Sequence, residues 1–410
     1  MIRLSSQCML LACAGLIALT AAAQAETVRV TIAEYSKGTG PYFEQAAAEF
    51  EKANPDIDIQ IEVSPWDSLQ QKLTTDISAG TNADLSIVAT RWLLDYVQQD
   101  VIEPLDDRLS DEFRGRFIPT FLTPSVLNGK TYGLPIAASA RAMYYNKDVF
   151  AKAGYDAPPA TWEELKTAAA KIKETSPDVY AFGLQGKEIE TDFYFNYAFW
   201  SYGGNIIADG KSGLDSQAAV DAAKLYKGFI DAGYTQPGVT SYSRDDVQNL
   251  FKQGKVATVI TAPFLSNQIK SEAPNLNYGV APVPAGPNGD QATYGVTDSI
   301  VLFSNSKHKD AAWKFLDFIF STEMRIKFDK VEGFLPVNKE EASAPMFADN
   351  EDLKVFAGLL PKARFAPVIP GWEEIADSTV TAVQKVYLGQ DTPEAAFKDA
   401  ATKINGILAK

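Results

Sequence analysis

Residues Met143–Leu165 read MYYNKDVFAKAGYDAPPATWEEL. The end of this stretch carries a local instruction. Thr161 is followed three residues later by Glu164, the spacing at which a hydroxyl and a carboxylate satisfy the orphan N–H groups of a helix start. The spacing predicts a helix from there to about Lys173. Working outward toward the N-terminus, Val28, Val30 and Ile32 alternate with polar residues, as do Ile57, Ile59, Ile61 and Val63, and both runs read as strands. Between them Tyr42–Ala53 reads as an amphipathic helix. Ser64-Pro65 offers an N-cap and a proline at the first helical position. A helix to about Ala79 and a strand over Asp84–Ala89 follow. The β-α-β-α-β order predicts an α/β fold with a parallel sheet wound by helices.

Outward in the other direction the texture persists. Asp215 is expected to cap a helix ending at Gly233. Lys309–Phe320 places Ala312, Phe315, Leu316 and Ile319 on one helical face. The chain carries no internal repeat, low-complexity tract or long linker. The Pro- and Gly-rich run Ala281–Gly289 reads as a connection between elements.

The N-terminus reads as an export signal. Met1–Arg3 is a short basic region, Met9–Ala23 is apolar apart from Cys13, Gly15 and Thr20, and Ala23-Gln24-Ala25 is an A-x-A cleavage site. Cleavage before Glu26 leaves 385 residues, enough for two domains. The expected location is the periplasm. Leu10-Leu11-Ala12-Cys13 loosely resembles a lipobox, but the apolar run continues past Cys13 and Ala25 makes the better site. Cys8 and Cys13 both fall inside the leader, so the mature chain has no thiol for a disulfide, a nucleophile or a metal. Losing Arg3 leaves 37 basic and 52 acidic residues, a formal charge of −15, which disfavours nucleic acid and anionic membrane as partners. The single histidine, His308, sits in the polar turn SNSKHKD and reads as exposed. No D-x-D-x-D-G loop is present and no structural metal is indicated.

Tyr145, Asn146, Lys147, Asp148, Phe150, Ala153, Gly154, Pro158, Thr161, Trp162, Glu163, Glu164 and Leu165 form a block that resembles the extracellular solute-binding family of bacterial ABC importers, sugar-binding proteins that include maltose-binding protein. The resemblance extends to FEKANPDIDIQIEV (Phe50–Val63), GKTYGLP (Gly129–Pro135), Gly203-Gly204, GKVA (Gly254–Ala257) with Pro263, and the region Ala281–Val337. It implies a two-lobed periplasmic-binding-protein fold with a ligand cleft between the lobes. Each lobe is then discontinuous: 26–138 plus 292–337, and 141–291 plus 338–410. Crossings fall near Ala138–Arg141, Asp290–Tyr294 and Val337–Lys339. It also implies capture of a carbohydrate-like solute by hinge closure, with no covalent step and no cofactor, delivery to permease subunits, and a monomer.

In parallel α/β sheets ligands lie beyond the carboxyl ends of strands. That rule selects Glu34 and Tyr35, then Arg91 and Trp92 after the run LSIVAT, then Ser139 and Arg141 at the first crossing, and Phe264 after a strand over Val256–Ile260. Phe193, near the start of the aromatic run DFYFNYAFWSY (Asp192–Tyr202), is expected to face the cleft. Asp298, in YGVTD where the family commonly has a Gly-Gly loop, adds a carboxylate, with helix or turn capping as its other reading. Trp372 and Glu373 are expected to open the last amphipathic helix, where acids also suit a helix N-terminus. Arg141 could fill the cleft floor or brace the hinge. Aromatic faces cover the C–H side of a sugar while carboxylates and guanidinium forks hold its hydroxyls. Arg91 and Arg141 leave open an acidic solute such as a sugar acid or glycerol phosphate. Glu34 and Asp298 favour a neutral sugar or sugar alcohol, and no spacing of carboxylates demands a glycosidase.

Overall fold

The computed structural model describes residues 25–187 and 190–409. Residues 1–24, which carry almost all of the predicted leader and both cysteines, lie outside the described residues. Eight strands form the two sheets that matter for the cleft: β1 (Glu26–Glu34), β2 (Ile57–Pro65), β3 (Leu85–Ala89), β4 (Leu134–Ser139), β5 (Ala142–Asn146), β6 (Thr258–Thr261), β7 (Tyr278–Ala281) and β8 (Val296–Leu302). Six helices frame it: α1 (Thr39–Ala53), α2 (Trp66–Ala79), α3 (Thr191–Ser201), α4 (Arg244–Lys252), α5 (Phe264–Glu272) and α6 (Trp372–Tyr387).

The first sheet has the order β2-β1-β3-β8-β4. β1 runs parallel to β2 and β3, as the β-α-β-α-β order predicts. The sheet is nevertheless mixed, because β8 runs antiparallel to both β3 and β4. Val28, Val30 and Ile32 are fully buried, each such side chain contributing roughly 1.5–3 kcal/mol of burial. The second sheet, β6-β5-β7, is antiparallel throughout.

Two helix starts differ from expectation by one residue. Ser64 stays in β2 and Pro65 takes the N-cap position of α2 without a side-chain cap. Ser216, not Asp215, caps the helix Gln217–Asp231, accepting from the Ala219 N–H three residues on; only a side chain at that offset reaches the third helical N–H. At Thr161 the hydroxyl accepts from Glu164 N–H, while the Glu164 carboxylate reaches one residue further back, to Ala160 N–H.

The chain passes between the sheets in three places. Ser139–Ala142 joins β4 to β5. The segment into β8 lies beside it, and the Thr293 hydroxyl accepts from Arg141 N–H and donates to Arg141 C=O, both at 2.7 Å. Leu335 N–H donates to Ala138 C=O at 2.9 Å. Toward the third passage, Asn338 and Glu341 are held to the first body through Phe320 C=O and Arg325. Asp352 is already bonded to Tyr278 of β7.

Candidate functional site

Three parallel strands end on one edge of the first sheet, and their following residues make one wall of a cleft. Glu34 and Tyr35 follow from β1, Trp66 from β2, and Thr90, Arg91 and Trp92 from β3. The aromatics support one another. Trp66 stacks on Trp92 at 5.8 Å and 17°, and Tyr35 lies 6.0 Å from Trp66.

The opposite wall comes from helix starts in the second body. Glu190 precedes α3, Asp192 and Phe193 lie in its first turn, Arg244 opens α4 and Glu373 lies in the first turn of α6. Phe193 stacks on Tyr294, 3.9 Å between centroids. Two links cross the cleft. Arg91 grips Glu373 with both faces of its fork (Nε–Oε1 3.0 Å, Nη2–Oε2 3.1 Å), approaches Asp192 at 3.5 Å, and lies 4.7 Å over the Phe193 ring. Trp66 Nε1 donates to Glu190 at 3.2 Å, which also accepts from Arg244 Nη1 at 3.3 Å. Burial pushes the Asp192 carboxyl up to about 7 even though Arg91 pulls the other way, and burial also raises Glu373.

Beneath Tyr35, which donates its hydroxyl to Asp298 at 2.9 Å, the chain is buried, and there Arg141 Nη1 donates to Ser139 Oγ at 2.6 Å. Asp298 pairs with Ala89 in the middle of the sheet, so it caps neither a helix nor a turn. Burial lifts its carboxyl to about 7, against the Tyr35 hydrogen bond and the Arg141 charge. Its Oδ1, the Arg141 Nε and the Tyr197 hydroxyl are buried without a hydrogen-bond partner. The Arg141 backbone is bonded to Thr293 at the crossing, and its guanidinium is buried beside Ser139.

Two cavities open between the walls. One, of about 300 Å³, is lined by Trp66, Asp67, Gln70, Thr90, Arg91, Trp92, Glu190, Phe193, Tyr294 and Phe365. The other, of about 370 Å³, is lined by Glu34, Tyr35, Trp66, Asp67, Arg244, Gln248, Asn249 and Gln268 among others. Of the residues expected at the site, Glu34, Tyr35, Arg91, Trp92 and Phe193 line one cavity or the other, Glu373 reaches it through Arg91, and Ser139, Arg141 and Asp298 are buried and line neither cavity. Phe264 and Trp372 do not join them. Phe264 is packed edge-on against Phe334 at 5.7 Å under the Arg244 guanidinium, and Trp372 belongs to the second hydrophobic core. Trp66, Gln70, Glu190, Asp192, Arg244, Tyr294 and Phe365 were not expected. Trp66 follows β2 as Arg91 follows β3, so the same rule could have found it. Glu190 and Arg244 carry no such signal. His308 lies far from this chemistry, its Nδ1 2.9 Å from Glu26. Among the described residues no group of three or more His, Cys, Asp or Glu could hold a metal ion, and no helix is long and apolar enough to cross a membrane.

Two sheet-centred bodies, joined by crossings and facing each other over an aromatic cleft, define a two-lobed solute-binding architecture. The chain belongs to the bacterial extracellular solute-binding protein family, whose sequence profile matches residues 33–326. A putative binding protein of Brucella abortus is 65% identical over 402 residues, 98% of each chain. A maltotriose-binding protein of Pyrococcus abyssi is 26% identical over 336 residues, 80% of this chain and 70% of the relative. An ABC transporter solute-binding protein of Thermotoga lettingae, solved with bound alpha-D-tagatose, superposes with a TM-score of 0.87 at 26% identity, covering 94% of this chain and all of that one.

Proposed function

We propose that this chain is the receptor of an ABC importer that captures a neutral polyhydroxyl solute, a sugar or sugar alcohol, by closing its two bodies over the cleft, and then presents it to the permease. The observation that carries the reading is the aromatic cavity of about 300 Å³, in which the one lining cation among the described residues, Arg91, is already paired with Glu373 and Asp192. Indole and phenol faces suit the C–H side of a sugar ring. Asp67, Gln70 and Glu190 offer acceptors and amide donors to hydroxyls. A glycerol phosphate or sugar acid would meet carboxylates and a neutralised guanidinium, so the acidic alternative is disfavoured. The maltotriose-binding relative and the tagatose-bound neighbour support a carbohydrate.

The lobes follow the two sheets, and closure is a hinge motion about the crossings at Ser139–Ala142, around Thr293, and between Ala342 and Asp352. The role needs binding and no covalent step, so the protein is not an enzyme. It works as a periplasmic monomer after removal of residues 1–25. Ligand shifts the open–closed equilibrium by its preference for the closed form. A thermal-shift screen of residues 26–410 tests this. Ligand at a hundred times its dissociation constant stabilises by about 2.7 kcal/mol. Stabilisation by neutral sugars or polyols supports the reading. Stabilisation by acids alone would overturn it.

A further inference from the structure

The cleft holds two cavities of unlike chemistry, separated by one clasp. Trp66 and Asp67 line both. Between them Glu190 accepts from Trp66 Nε1 at 3.2 Å and from Arg244 at 3.3 Å. The first cavity is mostly apolar, with the rings of Trp66, Trp92, Phe193, Tyr294 and Phe365 along it. The second is polar, with Glu34 and the amides of Gln248, Asn249 and Gln268 along it. Gln248 is 1% exposed. Its Nε2 donates to Thr261 Oγ1 at 2.7 Å, which fixes the amide, while its Oε1 is buried without a partner. A buried acceptor left unmade costs about 1–3 kcal/mol. A hydroxyl donor from a ligand would satisfy it. Of the cations lining it, Arg244 is paired with Glu190 and Asp245 and Lys252 with Glu272, while exposed Lys37 is outweighed by the lining carboxylates of Glu34, Asp67, Asp245 and Glu272, so the second cavity also favours a neutral partner.

Each cavity lies near the bottom of the roughly 300–1,000 Å³ range of small-molecule sites, and the two together lie well inside it. We infer that the cleft is built for a linear neutral glycan of at least two sugar residues, one ring stacked in the aromatic cavity and the next hydrogen-bonded in the polar cavity, with the Trp66–Glu190–Arg244 clasp opening to admit the glycosidic link. This rests on the sugar-receptor reading and deepens it. The clasp then gives selectivity by length. A single ring gains only the first cavity. A longer one exchanges the clasp's internal hydrogen bonds for bonds to its own hydroxyls, and supplies the donor that Gln248 lacks.

The test is isothermal titration calorimetry of residues 26–410 with mono-, di- and trisaccharides built from the same residue, in glucose, galactose and mannose series. In the series that binds, the di- or trisaccharide should bind at least tenfold more tightly than its monosaccharide. Gln248→Ala should remove most of that gain. Gln248→Glu, which keeps an acceptor, should retain more of it than the alanine variant. Thermal melts of both variants report whether the fold is intact. A monosaccharide binding as tightly as its longer homologues would overturn the length inference and leave the receptor reading standing. A length gain unaffected by either Gln248 variant would overturn the assignment of the polar cavity. Failure of every sugar in all three series would overturn the length inference, and the receptor reading would fall with it only if the thermal-shift screen of neutral sugars and polyols also found no ligand.

Discussion

The two walls of the cleft are built on different electrostatics. The first wall, at the strand ends of a largely parallel edge, brings three aromatic rings and one guanidinium. The second, made of helix starts, brings Glu190, Asp192 and Glu373. Acids suit helix N-termini, and Arg244 on the same wall pairs with Glu190, but among the described residues Asp192 and Glu373 have no cation of their own wall beside them, and burial pushes the Asp192 carboxyl up to about 7. Arg91 lies between Asp192 and Glu373, and Trp66 donates to Glu190. The comparison teaches that the contact between the walls is also where the buried carboxylates meet their cation.

The sharpest way to break this comparison is Arg91→Ala. It leaves two buried carboxylates without their cation, a class of change that costs about 3–5 kcal/mol where the pair is fully buried. Since Arg91 serves the opposite wall, affinity for every ligand should fall by a similar factor, on the order of a hundredfold, in calorimetry. Loss confined to one ligand would instead make Arg91 a direct contact. Arg91→Lys keeps the charge but not the two-point grip on Glu373 and should fall between. Phe193→Ala removes the ring stacked between Arg91 and Tyr294, and its expected cost is about 2 kcal/mol in affinity, beyond any stability loss seen by melting. Trp66→Phe keeps an aromatic face and removes only the indole donor to Glu190, so a loss of about 1 kcal/mol is expected.

The smallest effect at neutral pH concerns Asp298, buried in the first sheet beneath Tyr35. Burial sets the Asp298 carboxyl at about 7, well above the ordinary carboxylate value, so the folded chain holds that proton more tightly than the unfolded chain. Its contribution to stability is full below about pH 4 and is lost as pH rises toward 7. Asp298→Asn should therefore flatten the decline in melting temperature between pH 5 and 7.5. Asp192 and Glu332 share the direction and keep some slope. Superimposable profiles for variant and parent would show that Asp298 does not titrate there.

The two walls also differ in how far they could be read from sequence. The alternation of Val28, Val30 and Ile32, and of Ile57 and Ile59, set strands whose carboxyl ends point to one edge. Glu34, Tyr35, Arg91 and Trp92 follow from that rule, and Trp66 follows from it once β2 is treated like its neighbours. The mixed pairing of β8 was not legible, because a hydrophobic run such as SIVLF does not state its direction. The second sheet is antiparallel, so the strand-end rule does not govern it, and Phe264 and Trp372 turned out to be packing residues. Glu190 and Arg244 are 54 residues apart and meet only through tertiary structure. Acid-rich helix starts are common for reasons of the dipole alone, so Asp192 and Glu373 carried no signal that one arginine would bind both.

The central claim is closure around a neutral polyhydroxyl solute, and small-angle scattering of residues 26–410 during titration with the stabilising ligand tests it most directly. The account predicts that the radius of gyration falls and saturates at the stoichiometry of one ligand per chain, and that Arg91→Ala needs far more ligand to reach the same value. Saturating binding with no change in size, or compaction produced by acidic solutes alone, would contradict it.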